Sequence, residues 1–346
     1  MTISIIGTVG VPACYGGFES LVENLIPSQK IDLIYCTRKV YKQELIEHKG
    51  CKLKYWSLDA NGFQSIPYDV LSIFHSLLFT RNDLLVLGVS GAIAIPFFKL
   101  FSNRQVVTNI DGLEWKRDKW GKTAKWFLKF SEKLAVKFSD VVIADNAAIA
   151  EHVENAYAKQ SKVIAYGGDH ALTASVSAEK GDFAMALCRI EPENNVQMIL
   201  ETFSQLPSRK LKFIGNWNNS EFGRTLKKRY ASFENIEIVD PIYDLADLFK
   251  LRSKANIYIH GHSAGGTNPS LVEMMFFKVP IYCFDCNYNR ASTENKANYF
   301  SSSAHLLKQL SVDDNNKECA ANMLEIAERR YTWHIVKQQY EGLFND

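Results

Sequence analysis

Residues 255–273 run Ala255-Asn256-Ile257-Tyr258-Ile259-His260-Gly261-His262-Ser263-Ala264-Gly265-Gly266-Thr267-Asn268-Pro269-Ser270-Leu271-Val272-Glu273. The run from Ala255 to Ile259 has the length and apolarity of a buried strand. A glycine-rich loop follows it, and Pro269 is a residue favoured in the first turn of a helix. Strand, glycine loop and helix in that order form the repeating unit of a parallel sheet, and the helix N-terminus behind such a loop suits an anion.

The N-terminus has the same design. Ile3 to Ile6 reads as a strand ending at Gly7, and a loop with Gly10, Pro12, Gly16 and Gly17 leads to a helix starting near Phe18 that carries Leu21, Val22 and Leu25. The spacing is not G-x-G-x-x-G, which argues against a nicotinamide oxidoreductase. Between and beyond these units, apolar runs of strand length alternate with helical patterns. They fall at Ile31–Tyr35, Leu84–Leu87, Val106–Thr108 and Val141–Ala144. After the turn Tyr166-Gly167-Gly168-Asp169 they recur at Phe183–Leu187, Leu211–Ile214, Ile236–Val239 and Pro280–Phe284.

The expected fold is therefore α/β, with two Rossmann-like domains facing a central cleft. The expected boundaries are residues 1–165, residues 166–325, and a helical segment 326–346 packing back toward the first domain. A chain of 346 residues suits two such domains.

The 40 Lys and Arg nearly balance the 38 Asp and Glu, so bulk charge gives no reason to expect a nucleic-acid partner. Seven scattered cysteines and an N-terminus without a basic leader pattern point to a reducing cytoplasm. Cys283 and Cys286 read as structural, and no His, Asp or Glu grouping has zinc spacing. The apolar stretch Leu84–Phe101 is broken by Gly88, Ser90, Gly91, Pro96 and Lys99, so it reads as strand, loop and short helix rather than a membrane span.

Single residues carry the chemistry. Glu273 falls one turn into its helix, where it could accept the two hydroxyls of a ribose or merely answer the helix dipole. His262 lies inside the second glycine loop within reach of a ligand, and His170 follows the interdomain turn. From Trp115 to Lys137, Lys116, Lys119, Lys122, Lys125, Lys129, Lys133 and Lys137 recur beside Trp120, Trp126, Phe127 and Phe130. That pattern is either an ordinary solvated helix or a helix leaning on anionic lipid.

Taken together, the Gly16-Gly17 loop and Gly265–Glu273 resemble the family 4 retaining glycosyltransferases, closest to the bacterial group that includes rhamnosyltransferases of polysaccharide assembly. The resemblance extends over Ile6–Glu19, Asn109–Trp115, Val142–Asn146, Arg189–Asn195 and Phe284–Arg290. It implies the GT-B fold and a metal-independent transferase with no cofactor beyond its nucleoside-diphosphate sugar. In this reading Gly16 and Gly17 offer backbone donors to the donor phosphate or the transferred sugar, and Arg189 pairs with the diphosphate. Gly266, Thr267, Asn268, Pro269, Ser270 and Leu271 line the sugar and phosphate, Glu273 holds the ribose, and Asp111 meets sugar hydroxyls or the acceptor. Asp111, Arg189 and Glu273 are the implied catalytic set.

The donor favoured by this resemblance is dTDP-rhamnose, with another donor such as a UDP-hexose as the alternative. The implied acceptor is a saccharide or lipid-linked glycan of surface or capsular polysaccharide, met in the cytoplasm or at the inner face of the cell membrane by peripheral contact. Two positions depart from the family pattern. A lysine expected five residues after the arginine is Asn194, and the first of two carboxylates is Gly265. These departures keep open a non-catalytic scaffold within an assembly complex. Lys210, Lys212 or Arg290 are the candidates to restore the missing positive charge.

Overall fold

The computed structural model describes residues 2–13, 16–26, 30–116, 120–176, 179–312 and 316–344. Cys14, Tyr15 and Lys119, which belong to motifs named above, lie outside them. The chain divides into two compact units, Met1–Tyr166 with His334–Asp346, and Gly167–Trp333.

In the first unit the order is β1 (Ile3–Ile6), α1 (Gly17–Leu25), β2 (Ile31–Thr37), β3 (Glu47–His48), β4 (Cys51–Trp56), α2 (Ser65–Phe79), β5 (Asp83–Leu87), α3 (Ile95–Phe101), β6 (Val106–Asn109), α4 (Lys122–Phe138), β7 (Val141–Ala144), α5 (Ala147–Tyr157) and β8 (Lys162–Val163). The sheet order is β3-β4-β2-β1-β5-β6-β7-β8, parallel throughout except where β3 turns back on β4. All four residues of β1 and all five of β5 are buried. That burial on both faces explains why these strands read as unbroken apolar runs. Helices α2, α3 and α4 lie side by side, with α3 packed against both neighbours.

The second unit runs β9 (Phe183–Leu187), α6 (Val196–Ser204), β10 (Lys210–Ile214), α7 (Glu221–Tyr230), β11 (Ile236–Val239), α8 (Leu245–Lys254), β12 (Ile257–His260), α9 (Pro269–Met275), β13 (Ile281–Phe284), α10 (Asn287–Ser292), β14 (Asn298–Phe300), α11 (Ser303–Ser311) and α12 (Lys317–Arg330). Its sheet is wholly parallel in the order β11-β10-β9-β12-β13-β14. Its core packs Trp217, Phe203 and Phe213 among the aliphatic side chains of the strands.

The final helix, α13 (Trp333–Glu341), carries the chain back to the first unit. The sequence reading starts this return at residue 326. In the structure α12 continues unbroken to Arg330 and buries Met323, Ile326 and Ala327 within the second unit, so the return begins at His334. Four strands lie outside the sequence reading, and of these β3 and β8 are only two residues long. β4 alternates polar and apolar residues instead of presenting a solid apolar run, and β14 is three residues long.

Candidate functional site

In an open parallel sheet, ligands meet the loops at the carboxyl ends of the strands. The first unit's glycine loop follows β1. Its organising side chain is Glu19, buried in the first turn of α1, whose Oε1 accepts from Val9 N at 2.8 Å and from Thr8 Oγ1 at 3.0 Å. Gly16 has φ +105°, and a Cβ there would collide with the Glu19 carboxylate, so only glycine closes the turn. Burial pushes the Glu19 carboxyl above its ordinary value; the Val9 and Thr8 hydrogen bonds offset part of that, and nearby Asp111 adds to the rise.

Asp111 follows β6 with a left-handed backbone, φ +59°. Its N–H donates to Asn109 Oδ1 at 2.9 Å, and Asn109 Nδ2 donates to the Tyr340 hydroxyl at 2.9 Å. The returning C-terminal helix thus holds the residue that fixes the Asp111 turn.

In the second unit the loops after β9 and β12 are laced together. Asn194, the position where the family resemblance expects a lysine, donates from Nδ2 to the Arg189 carbonyl at 2.7 Å. Its Oδ1 must therefore accept at 2.8 Å from His262 Nδ1, which fixes the tautomer of that ring. Asn195 Nδ2 donates to the Gly261 carbonyl, and Ser263 N and Oγ both donate to the Glu193 carbonyl. A Cβ on Gly261 would strike the Asn194 carbonyl, so the glycine permits the approach. A lysine at 194 would leave both the Arg189 carbonyl and His262 Nδ1 without this bridge. Arg189 itself projects outward, its side chain 43% exposed and 4.0 Å from the Glu191 carboxylate.

Glu273 lies one turn into α9, only 14% exposed. Its Oε2 is paired with Arg252 Nη2, and its Oε1 lies 3.3 Å from His170 Nε2. Because His170 Nδ1 accepts from Trp333 Nε1 at 2.9 Å, the ring proton sits on Nε2 and points at the carboxylate. Burial alone would push the Glu273 carboxyl up; the Arg252 charge and then His170 outweigh it and hold the carboxyl below its ordinary value. Arg252, buried on α8, is the residue the sequence reading missed. It stands in the last turn of its helix, where a basic residue ordinarily answers the dipole. No local pattern tied it to a glutamate 21 residues on.

The backbone at the start of α9 is engaged within the helix. Of Asn268, Pro269, Ser270 and Leu271, Pro269 has no N–H. The Ser270 N–H donates to Asn268 Oδ1 at 3.0 Å and the Leu271 N–H to the Asn268 carbonyl at 3.1 Å. Those two donors cap α9 instead of facing outward. The three candidate compensating charges are also engaged, Lys210 with Asp182 at 2.6 Å, Lys212 with Glu237 at 2.7 Å and Arg290 with Asp285 at 2.6 Å. Lys210 moreover opens β10, at the amino end of the strand, opposite to the ligand loops. His260, at the end of β12, is fully enclosed, and burial, reinforced by His262, pushes its ring well below the usual histidine value. Cys283 lies buried within β13, where desolvation raises its thiol.

Two consecutive Rossmann-like units of this kind constitute the GT-B fold. Solved structures covering almost the whole chain share it. Sucrose-phosphate synthase from Thermosynechococcus elongatus is 14% identical, with 99% of this chain and 98% of that one aligned and a TM-score of 0.79. HepE of Anabaena in complex with UDP is 16% identical over 99% of both chains, TM-score 0.75. The catalytic domain of starch synthase IV from Arabidopsis thaliana, bound to ADP and acarbose, is 10% identical over 99% and 98%, TM-score 0.71. Residues 1–169 match the model of a domain of unknown function, DUF1972. No curated protein matches the chain in sequence.

Proposed function

We propose that the protein is a retaining glycosyltransferase that moves a hexosyl unit from a nucleoside-diphosphate sugar to a saccharide or lipid-linked glycan acceptor of surface polysaccharide. The observation that carries the reading is the ionised Glu273 carboxylate, pinned by Arg252 and His170 at the carboxyl end of the second sheet. Each carboxylate oxygen has a second lone pair, so ribose hydroxyls can donate to Glu273 while both partners stay in place. Arg189, outward and half-exposed, offers a planar bidentate donor to the diphosphate as negative charge builds on the leaving group.

With Asn194 committed to bridging the two loops, Arg189 carries charge neutralisation with one cation fewer than the family pattern supplies. No metal is invoked. The backbone upstream of Pro269, at Gly266, Thr267 and Asn268, faces the transferred sugar alongside His262. Gly16, Gly17 and Asp111 serve the sugar and acceptor from the first unit. The departing phosphate oxygen takes the acceptor hydroxyl proton on the face it leaves, so the step needs no separate base.

For the donor, a UDP-hexose has the better support. HepE has been solved with UDP-glucose as well as UDP. The dTDP-rhamnose assignment rests on the motif resemblance alone. Calorimetry against UDP, dTDP, GDP and their sugar nucleotides, with and without EDTA, tests both. Binding of UDP and UDP-glucose that survives EDTA is expected. In Glu273→Gln, which also takes the countercharge from buried Arg252 and so lowers the melting temperature, donor affinity of the folded protein should fall about tenfold, the weight of one charge-assisted hydrogen bond. Exclusive binding of dTDP would restore the rhamnose assignment. Failure to bind any nucleotide would favour a non-catalytic scaffold.

A further inference from the structure

Nine of the eighteen most exposed large apolar side chains among the described residues sit on three adjacent helices of the first unit. On α2, Leu71, Phe74 and Leu78 recur at helical spacing along the outward stripe, and Phe79, 74% exposed, closes it. No lysine, arginine or glutamate occurs in α2, and its one aspartate, Asp69, is buried. Helix α3 continues the surface with Phe97, Leu100 and Phe101; the rings of Phe74 and Phe97 lie 6.3 Å apart across the helix boundary. On α4, Trp126, 70% exposed, stacks on Phe130 at 5.8 Å.

The same outward face of α4 bears Lys122, Lys129, Lys133 and Lys137, all exposed, whereas its only acid, Glu132, is buried. Asp140, beside α3, is paired with Lys99 at 2.8 Å. The surface is thus an apolar field bordered on one side by a row of cations.

We infer that this face docks on an anionic lipid bilayer. A protein partner of ordinary kind would bring about one hydrogen bond per 100–200 Å², and the outward stripes of α2 and α3 offer no side-chain donor or acceptor for them. A second copy of the chain would bring its own lysine row into the interface with no acid to meet it. A bilayer asks only for apolar side chains that reach below the headgroups and for cations beside anionic lipid, and both are present in continuous order. No helix among the described residues is long and apolar enough to cross a membrane, so the contact is peripheral. The inference stands on the first unit alone and does not depend on the donor reading.

Flotation of the full chain with vesicles of phosphatidylcholine, and of an equal mixture with phosphatidylglycerol, tests it. Binding to the anionic vesicles, weakened by salt, is expected. Leu78→Ser and Phe101→Ser should each lower it about tenfold, as loss of one inserted side chain implies, and Lys129→Glu and Lys133→Glu each at least about fivefold. All four sites are exposed, so melting temperature and nucleotide affinity should hold, and loss of vesicle binding then reports the surface. Absence of binding to anionic vesicles would overturn the inference. So would binding indifferent to the four substitutions, or self-association that Leu78→Ser abolishes while vesicles are ignored. Vesicle binding by a chain that ignores every nucleotide would leave this inference standing and remove the donor reading.

Discussion

Each unit places a largely enclosed glutamate just inside the helix that follows its main glycine loop, and their carboxyls are pushed in opposite directions. Glu19 is held by a backbone N–H and a hydroxyl, both neutral, and burial leaves its carboxyl raised. Glu273 is 14% exposed and largely enclosed, and Arg252 and His170 bring it below the ordinary value. A shared strand, loop and helix therefore fixes where a carboxylate sits, while its partners decide which way its carboxyl is pushed. Neutral partners suit a turn that must keep its shape; charged partners suit a group that must receive hydrogen bonds from a ligand.

The largest expected effect sharpens this contrast. Arg252→Met should destabilise the second unit by about 3–5 kcal/mol, because it leaves Glu273 buried without its main countercharge. Adding Glu273→Gln should recover part of that loss, and urea unfolding of the single and double variants measures it. A loss below about 1 kcal/mol would mean that water reaches the pair and that the environments differ less than their burial implies.

The second test uses pH. For Glu273, with its folded value depressed, the stabilising contribution is full above the ordinary 4.5 and disappears as pH falls through the lower folded value. For Glu19, with its folded value raised, the folded state binds the proton first, so its contribution is full below 4.5 and is lost as pH rises through the folded value. The fall of the denaturation midpoint with acid below 4.5 should flatten in Glu273→Gln, and the pH dependence above 4.5 should flatten in Glu19→Gln. Coincident windows would break the comparison.

The smallest effect is Glu19→Gln at neutral pH. An amide oxygen can accept from Val9 and Thr8 as the carboxylate does, so stability should change by less than about 1 kcal/mol. Thermal unfolding of the variant is the check, and a large loss would break the contrast with Glu273.

Sequence made much of the scaffold legible because parallel strands buried on both faces are continuous apolar runs. β1, β7, β9 and β11 occupy the residues their patterns indicate. β4 escaped because its Lys52 and Lys54 interrupt the run, and its burial arises from pairing with β2 at the edge of the sheet. In the candidate site, spacing singled out Glu273, His262 and the turn holding His170. It gave no sign that Arg252 would cross from α8 to Glu273, nor that Asn194 would occupy a lysine's place by bridging two loops. Both are contacts between segments far apart in sequence, and neither leaves a periodic trace. The outward face of α2 was hidden for another reason: Asp69, Ser72 and Ser76 lie on its buried side, so a reading that turns polar residues to water would choose the wrong stripe.

The return of the chain to its starting unit bears on synthesis. Residues 167–333 can close their sheet as soon as they leave the ribosome, whereas the first unit still lacks Tyr340, whose hydroxyl receives the Asn109 amide, and Leu343, whose carbonyl receives Gln105. At about 5–20 residues per second, the half made first waits through the making of the whole second half for its last helix. A nascent chain would therefore leave the residues that meet α13, among them Ile3, Ile31 and Leu85, uncovered until that helix is made. In this molecule the order of manufacture and the order of completion run in opposite directions.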